Sequence, residues 1–218
     1  MQSSPCVHIS PEWITSTDPV PYHDAIAVME AHVEAMIERR AGERIWLLEH
    51  PPLYTAGTSA RPEEVLDSRL PVHMAGRGGK LTWHGPGQRV AYVMLDLTKR
   101  GRDLRAYVAL LEDWVIAALA RFDIDGQRRS GRVGIWVDTP RGEAKIAAIG
   151  VRVRRWITWH GVAVNVNPDL SYFDDIVPCG LHGYGVTSLQ AIGVQADLAQ
   201  MDAALKESWM NIFDHVQV

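Results

Sequence analysis

The chain has 218 residues, 47% of them apolar and 22% charged, with a net charge of −4. At that length and composition one domain spanning residues 1–218, with a packed core, is expected rather than disorder. A chain-wide basic surface for nucleic acid is excluded, and no apolar run approaches the roughly 18 residues of a membrane helix, so neither nucleic acid nor membrane is an expected partner.

The N-terminal Met1-Gln-Ser-Ser-Pro-Cys6 lacks a basic start followed by an apolar stretch, so no secretory signal is expected. Two cysteines, Cys6 and Cys179, make no disulfide framework, and a reducing, cytoplasmic setting fits. From Tyr22 to Arg40, Ile26, Met29, Val33, Met36 and Ile37 recur at helical spacing and predict an amphipathic helix. Arg44 to His50 reads as a strand, stopped by Pro51-Pro52. The stretch 55–79, rich in Gly, Pro and charge, reads as a long irregular connection of the kind that often carries function. Gln88 to Leu97 is apolar on both faces, as a covered strand is.

Asp103 to Phe122 predicts a second helix. Val133–Val137 and Lys145–Ile157 predict two strands joined by a turn at 138–142, and His160–Asn167 predicts another. Leu198 to Phe213 predicts a closing helix. No internal repeat is present. Neighbouring strands of hairpin type favour α+β over a strictly parallel sheet. Arg128, Arg129, Arg132, Arg152, Arg154 and Arg155 gather mid-chain, either as a solvated face or as a docking surface for an acidic partner.

Three segments have the makings of chemistry. Arg77-Gly-Gly-Lys-Leu-Thr-Trp-His-Gly-Pro-Gly-Gln88 has the glycines for close backbone approach to a ligand, though a plain turn between strands explains them too. Leu81 follows Gly79-Lys80, so it is not an ATPase phosphate loop. Lys145 opens a strand in which strict alternation places it with Ala147, Ile149, Val151 and Val153, opposite Arg152 and Arg154. It either reaches water from the strand's end or is a buried ammonium that stabilises an anion. Cys179 lies in Ile176-Val-Pro-Cys-Gly-Leu181, where Gly180 leaves room for a substrate and a free N–H. A buried structural Cys is the alternative. His182 is close to it, but no spacing completes a zinc site, and neither metal nor cofactor is expected.

Together and in this order the segments resemble the lipoyl(octanoyl) transferase family. Arg77 to Gln88 matches its Arg-Gly-Gly-x-x-Thr-aromatic-His-Gly-Pro-Gly-Gln loop, and Lys145 to Gly150 its Lys-Ile-x-x-(Ile/Leu)-Gly strand. His160 to Asn165 matches His-Gly-x-Ala-x-Asn, Pro178 to Gly180 matches Pro-Cys-Gly, and Glu49 to Tyr54 also fits. The likeness spans roughly residues 20–215. It implies the fold of biotin and lipoate protein ligases, a mixed sheet flanked by helices. It implies transfer of octanoyl from octanoyl-acyl carrier protein to a lysine of apo lipoyl domains, those of 2-oxoacid dehydrogenase complexes and the glycine cleavage H protein.

By position, Cys179 matches the family's acyl-thioester residue and Lys145 the lysine that activates it. Arg77, Gly78, Gly79, Lys80, Leu81, Thr82, Trp83 and His84, with Ala148, Ile149, Gly150, Gly161, Val162 and Ala163, match the acyl-binding segments. Trp83 stands where Tyr or Phe is usual and bears on pocket width. A two-step transfer follows, with the Gly180 N–H, His84 or His160 as oxyanion donors and Lys145 or a water it binds as base for the acceptor. The rival readings are an ATP-dependent lipoate ligase, a thioesterase and a non-catalytic acyl-binding module.

Overall fold

The computed structural model describes residues 10–67, 69–177 and 184–213. Its frame is a mixed sheet in the order β1-β2-β6-β10-β9-β8-β7. These strands are β1 (Glu12–Thr15), β2 (Arg44–Leu48), β6 (Gln88–Met94), β7 (Gln127–Arg129), β8 (Arg132–Thr139), β9 (Gly142–Arg154) and β10 (Ile157–Asn165). β1 runs parallel to β2, and a two-residue strand β11 (Gly185–Val186) runs parallel to the start of β9; the other pairings are antiparallel. β6 and β10 are buried along their whole length because both faces are covered.

On one face lie α2 (Leu104–Ala120) and α3 (Leu198–Phe213), packed through Leu111, Trp114, Val115, Leu205 and Trp209 onto Ile45, Ala91, Val93, Ile135 and Val164. Both helices start where the sequence supplies caps. Asp103 accepts the backbone N–H groups of Arg105 and Ala106, and Asp197 exchanges bonds reciprocally with Gln200. The other face carries α1 (Tyr22–Ile37), whose Ala25, Met29, Val33 and Met36 pack on Trp46, Tyr92, Ile157 and Trp159. None of the helices among the described residues is long and apolar enough to cross a membrane.

The region 55–79 departs from expectation. It is not one irregular connection: β3 (Leu53–Ala56) pairs with β4 (Val72–Met74) and with β5 (Leu81–His84) in a second, three-stranded sheet. Tyr54, Leu81 and Trp83 pack beneath it with Phe173 and Ile176, which gives these short strands an apolar face to bury. The boundary expected at Ile157 also moves. β9 ends at Arg154, and Arg155 and Trp156, both with positive φ (50° and 69°), turn the chain into β10. Two consecutive left-handed residues are what a tight hairpin demands, usually supplied by Asn-Gly.

Candidate functional site

Between the main sheet and the small one lies a cavity of about 210 Å³. Its floor is cut from neighbouring strands by small residues: Ala148 pairs with Ala163 and Gly150 with Gly161 across β9 and β10. Its roof is the chain from Arg77 to His84. A β-carbon at Gly150 would lie 2.8 Å from Cδ of Arg77, so the arginine stem occupies the space that a side chain would take. Of the segments singled out in the sequence, Gly78 and Trp83 do not line the cavity. The Trp83 indole turns away to stack on Tyr172, with ring centroids 5.2 Å apart, and therefore does not set the cavity's width.

Lys145 is buried, with 6% exposure, and lines the cavity. The alternation expected for its strand fails at a bulge. Lys145 pairs with Trp136 and Ala147 with Ile135, which leaves Ile146 as an extra residue. Ile146 and Ala147 therefore both pack toward α2 and α3, while Lys145 joins Ala148 and Gly150 on the cavity side. Its Nζ donates to the Val133 carbonyl at 3.0 Å and stands 4.8 Å from the centroid of the Trp136 ring. Gly134, at φ +116°, allows this approach: a β-carbon there would meet the Ala147 oxygen at 2.7 Å and Lys145 Cε at 3.3 Å.

The cavity is cationic. Arg77, Lys80, Arg132 and Lys145 line it, and among the described residues no carboxylate does. Glu64 holds Lys80, and Glu143 holds Arg132 at 2.8 Å. Around the Arg77 side lie three imidazoles, each kept neutral by burial. His50 is pushed down to about 4, His160 to about 3 with help from the charges of Arg77 and Arg152, and His84 well below its ordinary value. His50 donates from Nδ1 to the Val20 carbonyl and accepts the Tyr92 hydroxyl at Nε2, each at 2.6 Å. His160 has φ +59° within a strand, a conformation costing of order 1–3 kcal/mol that its neighbours impose. Burial also pushes the Tyr22 hydroxyl, which lines the cavity, up to about 12.

These shifts carry a pH dependence. An unfolded imidazole takes its proton near 6.5, whereas native His50 and His160 do so only near 4 and 3. Across that window the unfolded chain binds more protons, so stability rises with pH and levels off above 6.5. Lowering the pH from 7 to 5 is expected to cost about 1–2 kcal/mol per buried histidine, seen as a falling Tm. A Tm that stays constant over that range would contradict neutral burial.

The arginines do not form one basic face. Arg128 pairs with Glu112 and Asp113, Arg129 with Asp138 and Glu143, and Arg154 with Glu34, while Arg152 lies 4.6 Å over Trp159. Among the described residues no group of His, Cys, Asp and Glu could hold a metal. Cys179 and Gly180 lie outside the described residues. Tyr22, His50, Tyr92, Val133 and Trp136 were not marked by the sequence reading. His50 lay in the Glu49-His-Pro-Pro motif, whereas the others lay in segments expected only as helix or strand and reach the site through tertiary contacts.

The model of the lipoyl protein ligase A/B catalytic domain matches residues 21–209. An octanoyltransferase of Jannaschia sp. (strain CCS1) is 57% identical, covering 93% of this chain and 98% of that one. One from Caulobacter vibrioides is 56% identical, covering 94% and 93%. Among solved structures, the bipartite lipoate protein ligase of Thermoplasma acidophilum superposes with a TM-score of 0.72 at 15% identity, over 95% of this chain and 85% of that one. A lipoate-protein ligase A bound with ATP gives 0.71 at 15% identity, over 94% and 86%. At that identity the structural likeness establishes the fold alone.

Proposed function

The chain belongs to the lipoyl(octanoyl) transferases of the lipoyl protein ligase A/B family and is an acyltransferase; on that premise we propose that it moves octanoyl from acyl carrier protein to a lipoyl-domain lysine through a thioester on Cys179. The observation that carries this reading is the buried Lys145 ammonium in the wall of a cavity with a small-residue floor. A thiolate is the nucleophilic form of cysteine, and a neighbouring cation favours it. In the first step the Cys179 thiolate attacks the carrier thioester, and the carrier thiolate leaves with the proton of the Lys145 ammonium, which leaves that amine neutral for the second step. In the second step the acceptor amine, relieved of its proton by Lys145 or by a water that Lys145 binds, attacks the acyl-enzyme. Thioester is exchanged for thioester before the amide forms, so ATP is not required.

The oxyanion donors narrow to the Gly180 N–H. His84 is an unsuitable donor because Nδ1 faces the Gln88 Oε1 at 2.6 Å and Nε2 faces the Thr55 hydroxyl at 3.3 Å. His160 is neutral, with one N–H directed to the Ala75 backbone, so its other nitrogen offers a lone pair rather than a proton. We therefore assign it as a positioning group beside the cavity rather than as an oxyanion donor.

The acyl chain lies over Ala148 and Ala163. At about 0.8 kcal/mol per buried methylene, an eight-carbon chain gains several kcal/mol over a short one. Transfer of a series of acyl groups, measured without ATP, tests the reading. The wild type is expected to prefer octanoyl. Ala148→Leu, which fills the floor, is expected to lower octanoyl transfer by roughly 30–100-fold, the worth of about three methylenes, and to spare butanoyl. An ATP requirement, or equal losses for both chains, would contradict the assignment.

A further inference from the structure

A buried polar chain connects the cavity roof to the backbone beside Lys145. Asn165, at the end of β10, pairs with Gln88, at the start of β6, so their side chains lie abreast on one face of the sheet. Asn165 Nδ2 donates to the Thr187 carbonyl at 2.9 Å, and its Oδ1 accepts from Gln88 Nε2 at 2.9 Å. Gln88 Nε2 also donates to the Trp83 carbonyl at 3.2 Å, while its Oε1 accepts the Nδ1 proton of His84 at 2.6 Å. His84 Nε2 accepts from the Thr55 hydroxyl, whose oxygen accepts from Arg77 at 2.7 Å.

The direction of this chain is fixed at both ends. A carbonyl can only accept and a guanidinium can only donate, so each amide and the imidazole between them has a single consistent orientation. Gln88 is 1% exposed and Asn165 4%, so water does not substitute for a missing partner without rearrangement.

The far end of the chain meets the chemistry. The Thr187 N–H donates to the Lys145 carbonyl at 2.9 Å, and Val186 pairs with Lys145 across β11 and β9. The Asn165 carbonyl also accepts the Leu189 N–H at 3.1 Å, so this one residue grips the segment 187–189 twice. A void of about 10 Å³, lined by Lys145, Asn165, Gln88 and Val186 among others, separates the amides from the lysine stem. The gripped segment begins eight residues after Cys179 in the sequence.

We propose that Asn165 is a positioning residue for acyl transfer: oriented by Gln88, it anchors the 187–189 segment against the Lys145 strand and so sets where Lys145 stands in the cavity wall. This rests on the roles of Lys145 and Cys179 given above. Small misplacements of reacting groups are costly, roughly 100-fold for about 1 Å. A hydrogen-bonded amide of fixed orientation at the junction of β6, β10 and β11 is suited to prevent them.

The test uses Asn165→Leu, Gln88→Met and the double variant, with kcat and KM for both protein substrates and the Tm of each. Asn165→Leu is expected to lower kcat roughly 10–100-fold with little change in either KM. The double variant is expected to be less stable still, because Met at 88 leaves the Trp83 carbonyl and the His84 N–H unpaired, while its kcat stays near that of Asn165→Leu because the same Thr187 anchor is missing. A double variant whose kcat recovers would overturn the proposal, as would a folded Asn165→Leu with wild-type kcat. If Asn165→Leu does not fold, Gln88→Met gives the same reading on a smaller scale, and a wild-type kcat there also overturns it. Wild-type enzyme that takes no octanoyl on Cys179 sinks the functional reading instead, whatever the variants do.

Discussion

Lys145→Ala is expected to fold and to lose transfer by roughly two to four orders of magnitude, the range for a lost acid–base group. The side chain lines the cavity, so truncation enlarges a space already open and removes little packing. What it removes is the charge held between the Val133 carbonyl and the Trp136 face. Lys145→Arg separates the two roles assigned to this residue. A guanidinium keeps the charge that favours a thiolate but does not give up its proton, and it has little room beside Gly134. Loading of the enzyme from octanoyl carrier is therefore expected to persist at a reduced rate, with discharge to the acceptor lysine impaired far more. Rapid-quench measurement of the two half-reactions reads this directly. Wild-type discharge in Lys145→Arg would remove Lys145 as the base, and wild-type loading in Lys145→Ala would remove it as the activating charge.

The elements whose determinants are local could be read from the sequence. α1, α2 and α3 lie where their apolar residues recur at helical spacing, and Asp103 caps α2. The α+β class follows from helices mixed with hairpin-type strand neighbours such as β8 and β9, and the mixed sheet flanked by helices is what the family resemblance implied. The small sheet was not legible because β3, β4 and β5 are three or four residues long and their partners are distant in sequence. The bulge at Ile146 was equally hidden. Alternation along β9 is a property of one strand, whereas the slip appears only when β8 is laid beside it. That slip decides which face Lys145 occupies, so a one-residue irregularity separates a core position from a site.

The turn at Arg155-Trp156 has neither Gly nor Asn to announce its two positive φ values. The motif segments were legible as chemistry, but not the groups that hold them. Val133 and Trp136 fix Lys145, and Tyr92 is pinned by His50, through contacts that only tertiary structure creates. Asn165 and Gln88 stood in the matched motifs as letters without roles until their hydrogen bonds gave them an order.

The central claim is that the acyl group rests on Cys179 between donor and acceptor, and intact mass spectrometry tests it most directly. Wild-type protein and Cys179→Ala would each be mixed with octanoyl-loaded carrier protein, then with apo lipoyl domain. The expected result is one octanoyl added to the wild type, none to the variant, and loss of the adduct as the lipoyl domain gains the same mass. Transfer by Cys179→Ala at the wild-type rate, or an adduct that the lipoyl domain does not discharge, would contradict it.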